Sequence, residues 1–386
     1  MKLLHTSDWH VGKAIRGNSR AAEHRAVLAE IAGVAAEHEV DVVVVAGDLF
    51  ETAAPSPESE EIVYRALLAL AATGAVVAVI AGNHDNARRL AAVAPLLELG
   101  RVQLVTTPTR PAEGGVRTIT RPSGEVLRLA MLPFVSQRGI VRATELMATA
   151  AFEQAQAYAD RMRQLIEAMT AGAPADTVTV LAAHTFVLGA QAGGGERLAH
   201  LTEAYGVPGV AFPPTAAYVA LGHLHRPQKL AGATAIHYCG SPLQLDFGEE
   251  DQAKQVNVVE VSPGLPAKVT PVGLTAGRPL RTLAGTVDQL RDLARKVDAD
   301  AWLRVRVREP SRAGLADEVR DLLGPGVVDV AIDSPAEQRR RAERRAEARS
   351  PQEQFAAYLA REDVEDLRIE AMFAELYDDA VIGDGR

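Results

Sequence analysis

The first part of the chain alternates short apolar runs with longer segments in which apolar residues recur at helical spacing. Short runs of branched aliphatic residues are typical of buried strands, and the longer spacing indicates amphipathic helices. The predicted strands cover residues 2–7, 40–46 and 75–81, and the predicted helices cover residues 20–38 and 58–72. This strand–helix alternation predicts an α/β fold built on a parallel sheet.

Residues 66–82 carry no charge and approach the roughly 20 residues that a membrane-spanning helix needs. Thr73 and Gly74 divide this stretch into an alanine- and leucine-rich part and a valine-rich part. Glycine is favoured just after a helix because it adopts the left-handed conformation at low cost. We therefore expect the end of a helix followed by a strand, and no association with a membrane.

Apolar runs continue through the next part of the chain, where the alternation is less regular. The predicted strands cover residues 127–133, 177–183, 218–221, 235–239 and 254–261, and a long alanine-rich helix is predicted over residues 143–170. The glycine-rich residues 189–200 predict a mobile loop, which either covers a substrate or is a tolerated surface insertion.

The composition changes near residue 262, and a smaller unit follows. Its predicted strands cover residues 279–284, 302–308 and 327–332, and its predicted helices cover residues 287–297 and 314–323. Arg304, Arg306 and Arg308 alternate with apolar residues, so one face of that strand is basic and either follows a phosphate backbone or faces solvent. Residues 350–353 predict the start of a further helix.

The size and composition of the chain limit the class of protein. At 386 residues it is long enough for about two or three domains. Hydrophobic residues make up 47% of the chain and aromatic residues only 4%, so alanine, valine and leucine have to fill the core. Cys239 is the only cysteine, which excludes an internal disulfide and favours a reducing compartment, the cytoplasm. No secretory signal is expected at the N-terminus.

Seven candidate metal ligands follow the ends of predicted strands. They are Asp8, His10, Asp48, Asn83, His184, His223 and His225. Because the carboxyl ends of parallel strands meet at one edge of a sheet, we expect these side chains to share a pocket. Oxygen and imidazole ligands without a thiolate suit Mn²⁺, with Mg²⁺, Fe²⁺ or Zn²⁺ as alternatives. The formal net charge of −9 argues against a nucleic-acid partner, but two divalent cations would reverse the local sign.

The order of these motifs along the chain resembles the signature of the calcineurin-like metallophosphoesterases. The motifs are, in order, Asp-x-His, Gly-Asp, Gly-Asn-His-Asp, a single His and Gly-His-x-His. The longer sequence segments that contain these motifs are similar to segments of the SbcD family of nuclease subunits. They are HTSDWHVGKA, AGDLFETAAPSP, AGNHD, ALGHLHRPQ and YCGSPLQLDFGE. The resemblance implies an α/β fold in which helices flank a β-sandwich, with a small α+β capping domain and a C-terminal helical tail. It implies a metallophosphoesterase domain at residues 1–262, a capping domain at 275–334, and a linker with partner-docking helices at 335–386.

The resemblance also implies two divalent cations that share the carboxylate of Asp48. The ligands that it assigns to one cation are Asp8, His10 and His225, and those of the other are Asn83, His184 and His223. His84 would contact the scissile phosphate, and Asp85 would hold the His84 ring. Two adjacent cations suit phosphodiester hydrolysis because they polarise the phosphoryl oxygens and make hydroxide from water near neutral pH.

The activity that this resemblance implies is an Mn²⁺-dependent 3′–5′ exonuclease on double-stranded DNA and an endonuclease on single strands and hairpins, although the residues themselves leave the polarity open. The implied partners are DNA and an SbcC-like ATPase, with a homodimer inside a heterotetramer. The residue three after Asp48 is often histidine in archaeal and eukaryotic relatives, whereas bacterial relatives commonly carry an acid. It is Glu51 in this chain, so selectivity for DNA ends is not carried over.

Two other functions fit the same residues. A small-molecule or nucleotide phosphodiesterase would use the same cations and would not need residues 335–386. A scaffold with an inactive site would bind a partner and no metal, and the complete ligand set argues against it. Turnover of nucleotides separates the first alternative from a nuclease, and metal content separates the second.

Overall fold

A computed structural model of the chain describes residues 1–136, 151–174, 176–196 and 205–333, together with residues 355–356, 358–359, 369 and 372–373. The first part of the predicted 143–170 helix, the end of the glycine-rich loop and most of the C-terminal tail lie outside the described residues. The chain divides into two compact units, Met1–Leu280 and Arg281–Arg386.

The described elements follow the predicted alternation. The strands are β1 Lys2–Thr6, β2 Ala14–Ile15, β3 Asn18–Ser19, β4 Val42–Ala46, β5 Val76–Ile80, β6 Val102–Val105, β7 Val116–Thr120, β8 Val126–Leu132, β9 Thr177–His184, β10 Phe186–Val187, β11 Gly206–Val207, β12 Tyr218–Gly222, β13 Gln228–Leu230, β14 Ala235–Tyr238, β15 Gln255–Glu260, β16 Lys268–Gly273, β17 Leu280–Gly285, β18 Trp302–Val307 and β19 Val327–Ile332. The α-helices are α1 Ala21–Glu37, α2 Pro57–Ala72, α3 Ala87–Glu98, α4 Ala151–Thr170, α5 Val287–Ala294 and α6 Leu315–Leu323.

Two six-stranded mixed sheets form the core of the first unit within the described ranges, and the pairs β2-β3 and β10-β11 form two small additional sheets. The order of the first sheet is β16-β15-β1-β4-β5-β6, and the order of the second is β13-β14-β12-β9-β8-β7. Strands β1, β4, β5 and β6 of the first sheet run parallel, and so do β14, β12, β9 and β8 of the second. Antiparallel strands close both edges of the second sheet and one edge of the first, and the parallel strand β6 forms the other edge of the first. Parallel inner strands bring the ligand-bearing loops of each sheet to one edge.

The two sheets pack face to face through a shared apolar layer. Val44 and Ile80 of the first sheet and Leu129 and Val180 of the second are all buried in it. The outer face of the first sheet packs against α1, α2 and α3, and α4 covers the second sheet. Fully burying a valine or leucine side chain stabilises a fold by about 1.5–3 kcal/mol, so this layer is a large part of the driving force for assembly. The predicted β-sandwich flanked by helices is confirmed.

The uncharged stretch at residues 66–82 is divided as predicted. Helix α2 ends at Ala72, Gly74 follows with φ +99°, and β5 begins at Val76. The amide of Gly74 donates to the carbonyl of Ala71, which closes the last turn. Among the described residues, no helix has the length and apolarity to cross a membrane.

The second unit contains the sheet β17-β18-β19 with α5 and α6. Its core includes the side chains of Leu303, Val305 and Val307. Arg304 and Arg306 alternate with them and are half-buried, as the period-two pattern predicted. Arg308 is exposed and lies one residue beyond the end of β18.

Candidate metal centre

The predicted ligands lie where parallel strands end. Asp8 and His10 follow β1, Asp48 follows β4, and Asn83 follows β5, all from the first sheet. The second sheet contributes the last residue of β9 and the residues just after β12. These are His184, His223 and His225. The structure therefore brings together residues that lie up to 217 positions apart in the sequence, as the separation of Asp8 and His225 shows.

Several ligand residues have a backbone conformation that is rare for residues other than glycine. Asp8, His10, Asp48 and His223 have φ values of 53°, 46°, 51° and 112°. Such conformations cost about 1–3 kcal/mol each and persist only where the surroundings fix them. The amide of Asp8 donates to the carbonyl of Gly47 at 3.0 Å, and the amide of His10 donates to that of Asp48 at 3.1 Å. The first two ligand loops thus hold each other in place.

Asp48 lies at the centre of the site. Its Oδ2 is 3.6 Å from Nε2 of His10 on one side and 3.4 Å from Nε2 of His184 on the other. Its Oδ1 accepts a hydrogen bond of 2.8 Å from the backbone amide of His84. One carboxylate therefore faces both groups of predicted ligands, which is the position that a bridging ligand needs.

The group on one side of Asp48 consists of Asp8, His10 and His225, whose ligand atoms lie within 4.8 Å of one another. The Nε2 atoms of His10 and His225 are 3.1 Å apart. The Nδ1 atom of each ring lies 2.9 Å from a carboxylate oxygen, of Glu51 and Glu249 respectively. Because a carboxylate only accepts, each Nδ1 carries hydrogen, so Nε2 is the nitrogen of each ring that a cation would bind.

The group on the other side consists of Asn83, His184 and His223. The Oδ1 atom of Asn83 lies 2.9 Å from Nε2 of His184 and 2.8 Å from Nδ1 of His223. His184 Nδ1 donates to the carbonyl of Ala46 at 2.8 Å, and its Nε2 donates to the amide oxygen of Asn83, because that oxygen only accepts. An oxygen and two imidazole nitrogens converging in this way also fit a divalent cation.

Burial and neighbouring charges shift the pKa values of acids and histidines in the site. Burial raises the pKa of Asp8 to about 6, although the neighbouring His184 and His225 oppose the shift. Burial also disfavours the charged form of Asp48, but His184 and His84 outweigh it and hold the pKa of Asp48 well below its ordinary value. For His184, the Asp48 charge overcomes burial and raises the pKa to about 9. Protons thus occupy this site without metal, and a cation has to displace them.

His84 and Asp85 lie next to this centre but do not pair as expected. Nδ1 of His84 lies 2.7 Å from the backbone carbonyl oxygen of Glu51. The Asp85 carboxylate instead accepts the backbone amides of Leu49, Phe50 and Gly82, at 3.2, 3.1 and 2.9 Å. The prediction that Asp85 holds the His84 ring is therefore wrong: Asp85 joins the Asp48 loop to the Asn83 loop.

Sequence reasoning misses the carboxylates behind the histidines. In the sequence, Glu51 is noted only because it departs from a family pattern. Glu249 lies in the segment YCGSPLQLDFGE, but no role is predicted for it. Neither has a spacing to its histidine that would mark a metal site, because the contact is made by tertiary folding. Glu196, from the glycine-rich loop, also accepts the backbone amide of His225 at 2.9 Å. This part of the loop therefore lies against a ligand segment.

The chain is similar to known proteins over most of its length. Residues 1–227 match the family described as calcineurin-like phosphoesterase. The chain is 35% identical over 324 residues to the D subunit of the nuclease SbcCD from Bacillus subtilis (strain 168), an alignment that covers 82% of this chain and 81% of the relative.

Two further relatives carry the same name. The one from Escherichia coli (strain K12) is 30% identical over 325 residues, covering 80% of this chain and 78% of the relative. The one from Rhodobacter capsulatus is 34% identical over 282 residues, covering 70% and 69%. Membership of this family implies that the site binds divalent metal. The chain belongs to the calcineurin-like phosphoesterases, and within them to the SbcD family of nuclease subunits.

Proposed function

We propose that the chain is a DNA nuclease subunit that hydrolyses phosphodiester bonds with two Mn²⁺ ions. The observation that carries this proposal is the placement of Asp48 between two groups of imidazole and oxygen ligands. Relatives named as SbcCD nuclease subunits support a nucleic-acid substrate. The proposed activities are 3′–5′ exonuclease action on double-stranded ends and endonuclease action on hairpins and single strands.

Each predicted ligand has a proposed role. Asp48 would be shared by the two cations. Asp8, His10 and His225 would hold one cation, and Asn83, His184 and His223 would hold the other. When bound, two adjacent cations polarise the phosphoryl oxygens, activate water and neutralise the charge that develops during in-line displacement. Mn²⁺ is proposed because the ligands are oxygens and imidazole nitrogens without a thiolate.

His84 is proposed to act on the substrate itself. The carbonyl oxygen of Glu51 accepts from Nδ1, so the hydrogen on that nitrogen is fixed, and Nε2 is the atom that gains or loses a proton. The ring packs edge-on against His10, with centroids 4.6 Å apart. His84 is therefore proposed to orient the scissile phosphate and to protonate the leaving oxygen. Asp85 supports this step by fixing the loops that carry Asp48 and Asn83.

The proposed assembly follows the relatives' name. Relatives named as one component of SbcCD support an SbcC-like ATPase as the partner of this chain, in the cytoplasm, with DNA as the shared substrate. Residues 335–386 are proposed as the linker and docking helices for that ATPase, after a nuclease domain at residues 1–262 and a capping domain at 275–334. A homodimer of this chain within a heterotetramer completes the proposal.

The test is a cleavage assay with purified protein, Mn²⁺ and defined hairpin and blunt-ended DNA, with and without the ATPase partner and ATP. Wild type is expected to cut both substrates, and Asp48→Ala and His84→Gln are expected to be strongly impaired. If wild type cuts no DNA and both variants behave like it, the nuclease proposal fails. Rapid turnover of nucleotides without DNA cleavage would favour a small-molecule phosphodiesterase instead.

A further inference from the structure

Glu249 is a fully buried carboxylate outside the predicted ligand set. Its Oε1 lies 2.9 Å from Nδ1 of His225, and its Oε2 accepts from Nζ of Lys254 at 2.7 Å and from the amide of Leu245 at 3.0 Å. Removing such a pair from water costs several kcal/mol per ion, which the attraction between the charges often fails to recover. Stability alone is therefore a weak reason for a buried carboxylate and lysine at this position.

Glu51, on another segment of the chain, likewise contacts both a predicted ligand histidine and a lysine. Its Oε2 lies 2.9 Å from Nδ1 of His10, and its Oε1 accepts from Nζ of Lys13 at 2.8 Å. In both places a lysine ammonium donates to a glutamate carboxylate, and the other oxygen of that carboxylate accepts from Nδ1 of a predicted ligand histidine. The two arrangements serve the same cation, because His10 and His225 lie on the same side of Asp48.

The other side of Asp48 is supported differently. His184 is held by the backbone carbonyl of Ala46, which is neutral. Two formal negative charges thus stand behind the imidazoles of one cation, whereas a neutral dipole stands behind an imidazole of the other. A carboxylate that accepts from a metal-binding histidine fixes its tautomer and raises its basicity. Carboxylates therefore support His10 and His225, whereas a backbone carbonyl supports His184.

We propose that Glu51 and Glu249 are positioning residues, which orient His10 and His225 toward one cation and strengthen the binding of that cation alone. The inference rests on the proposed function, because it assumes that the site holds two cations. Removing such a partner carboxylate typically costs about 10- to 100-fold in metal affinity.

The test measures Mn²⁺ binding to the full-length protein by titration calorimetry, without DNA. Glu249→Gln and Glu51→Gln keep the side-chain volume and remove the charge. The matched control is Glu23→Gln, because Glu23 is also buried and pairs with Arg20 at 2.6 Å, away from the predicted ligands. Each positioning variant is expected to bind one Mn²⁺ about 10- to 100-fold more weakly and the other as wild type does.

Electron paramagnetic resonance gives an independent readout. At Mn²⁺ concentrations that fill both sites of wild type, the positioning variants should show the signal of an isolated ion, while wild type and Glu23→Gln show a spin-coupled pair. Unchanged affinity in both positioning variants, or an equal loss in Glu23→Gln, would overturn the proposal. If Glu249→Gln does not fold, Glu51→Gln decides, since its side chain is 23% exposed.

This outcome is separable from that of the cleavage assay. If the variants lose one Mn²⁺ but wild type cuts no DNA, the positioning roles stand and the nuclease proposal fails. If wild type cuts DNA and the variants bind both ions normally, the nuclease proposal stands and the positioning roles fail.

Discussion

The backbone carbonyl oxygen of Glu51 accepts a hydrogen bond from Nδ1 of His84 over 2.7 Å, while the side chain of the same glutamate contacts His10. One residue thus fixes two imidazoles of the centre, one through its main chain and one through its carboxylate. The main-chain contact survives substitution of the side chain. Changes at residue 51 therefore act mainly on His10, and the role of His84 has to be tested at His84 itself.

His84→Gln is expected to lower kcat for DNA cleavage by about 10²- to 10⁴-fold, the usual contribution of a positioned acid or base. Mn²⁺ affinity should stay at the wild-type value, because the proposed role of His84 is toward the substrate. Cleavage kinetics at saturating Mn²⁺ and calorimetry measure the two quantities. His38→Gln, a change in the residue that follows α1, is the control. A loss of bound Mn²⁺ in His84→Gln would make His84 a ligand.

Asp48→Asn is expected to remove most of the stabilisation that Mn²⁺ gives the folded protein. A ligand at 100 times its Kd stabilises a protein by about 2.7 kcal/mol, and the variant lacks the charge that both cations share. Thermal unfolding with Mn²⁺ and with EDTA measures the gain. Asp41→Asn is the matched control, because Asp41 precedes the opposite end of the same strand, β4. An equal gain in wild type and Asp48→Asn would exclude Asp48 as the bridge.

Asp85→Asn is expected to lower the free energy of unfolding by about 1–3 kcal/mol, since an amide offers one acceptor oxygen where the carboxylate accepts three backbone N–H groups. Urea denaturation in EDTA isolates this effect from metal binding. Asp246→Asn is the comparison, because the Asp246 side chain accepts the amide of Gly248 at 2.9 Å. A smaller loss for Asp85→Asn than for Asp246→Asn would contradict the role as a brace between two loops.

Gly47→Ala is expected to destabilise the protein more than Gly17→Ala. Both glycines have positive φ, +92° and +84°, so both alanines carry about 1–2 kcal/mol of backbone strain. A Cβ at position 47 would also lie 2.3 Å from Nδ1 of His184, whereas Gly17 has open space. This overlap should add about 1–3 kcal/mol and weaken Mn²⁺ binding. Equal unfolding free energies for the two variants would show that position 47 has room for a methyl group.

The stability of the metal-free protein should fall as the pH drops below 6.5, in part because of His5. Burial lowers the pKa of His5 from 6.5 to about 3, and its ring is bonded to Tyr218 and Leu221. Between these values the unfolded chain binds a proton that the folded chain does not, so acid favours unfolding by about 1.4 kcal/mol per pH unit. Between pH 6.5 and 5, the free energy of unfolding measured by urea denaturation should fall by about 1.6 kcal/mol less in His5→Gln than in wild type. An equal fall in the two proteins would mean that the folded protein admits the proton.

The strands that carry ligands could be predicted because each is a buried apolar run that ends abruptly in polar residues. Val42–Ala46 is buried throughout and is followed by Gly47 and Asp48. Elements without this contrast escape prediction. Strand β16 is mostly exposed and pairs only along one edge, so its sequence lacks an apolar face. Helix α3 exposes Leu96 and contains Pro95, and both weaken the helical pattern.

The ligands themselves could be predicted from sequence, whereas the groups that orient them could not. Ligands follow strand ends, and strand ends are visible in the sequence. Glu249 reaches His225 across 24 residues, through a turn that follows β14, and Asp85 contacts backbone amides rather than the ring beside it. Contacts of this kind depend on the conformation of loops in the folded protein. The spacing of residues along the sequence does not predict that conformation.

The pairing of β1 has a consequence for how the protein is made. Leu3 lies between Val42 on β4 and Val259 on β15, so one side of the first strand stays bare until the ribosome has added some 250 more residues. His225 and Glu249 also emerge late. A nascent chain therefore holds an incomplete centre until well over half of it has been synthesised, and the first strand gains its second neighbour only after that.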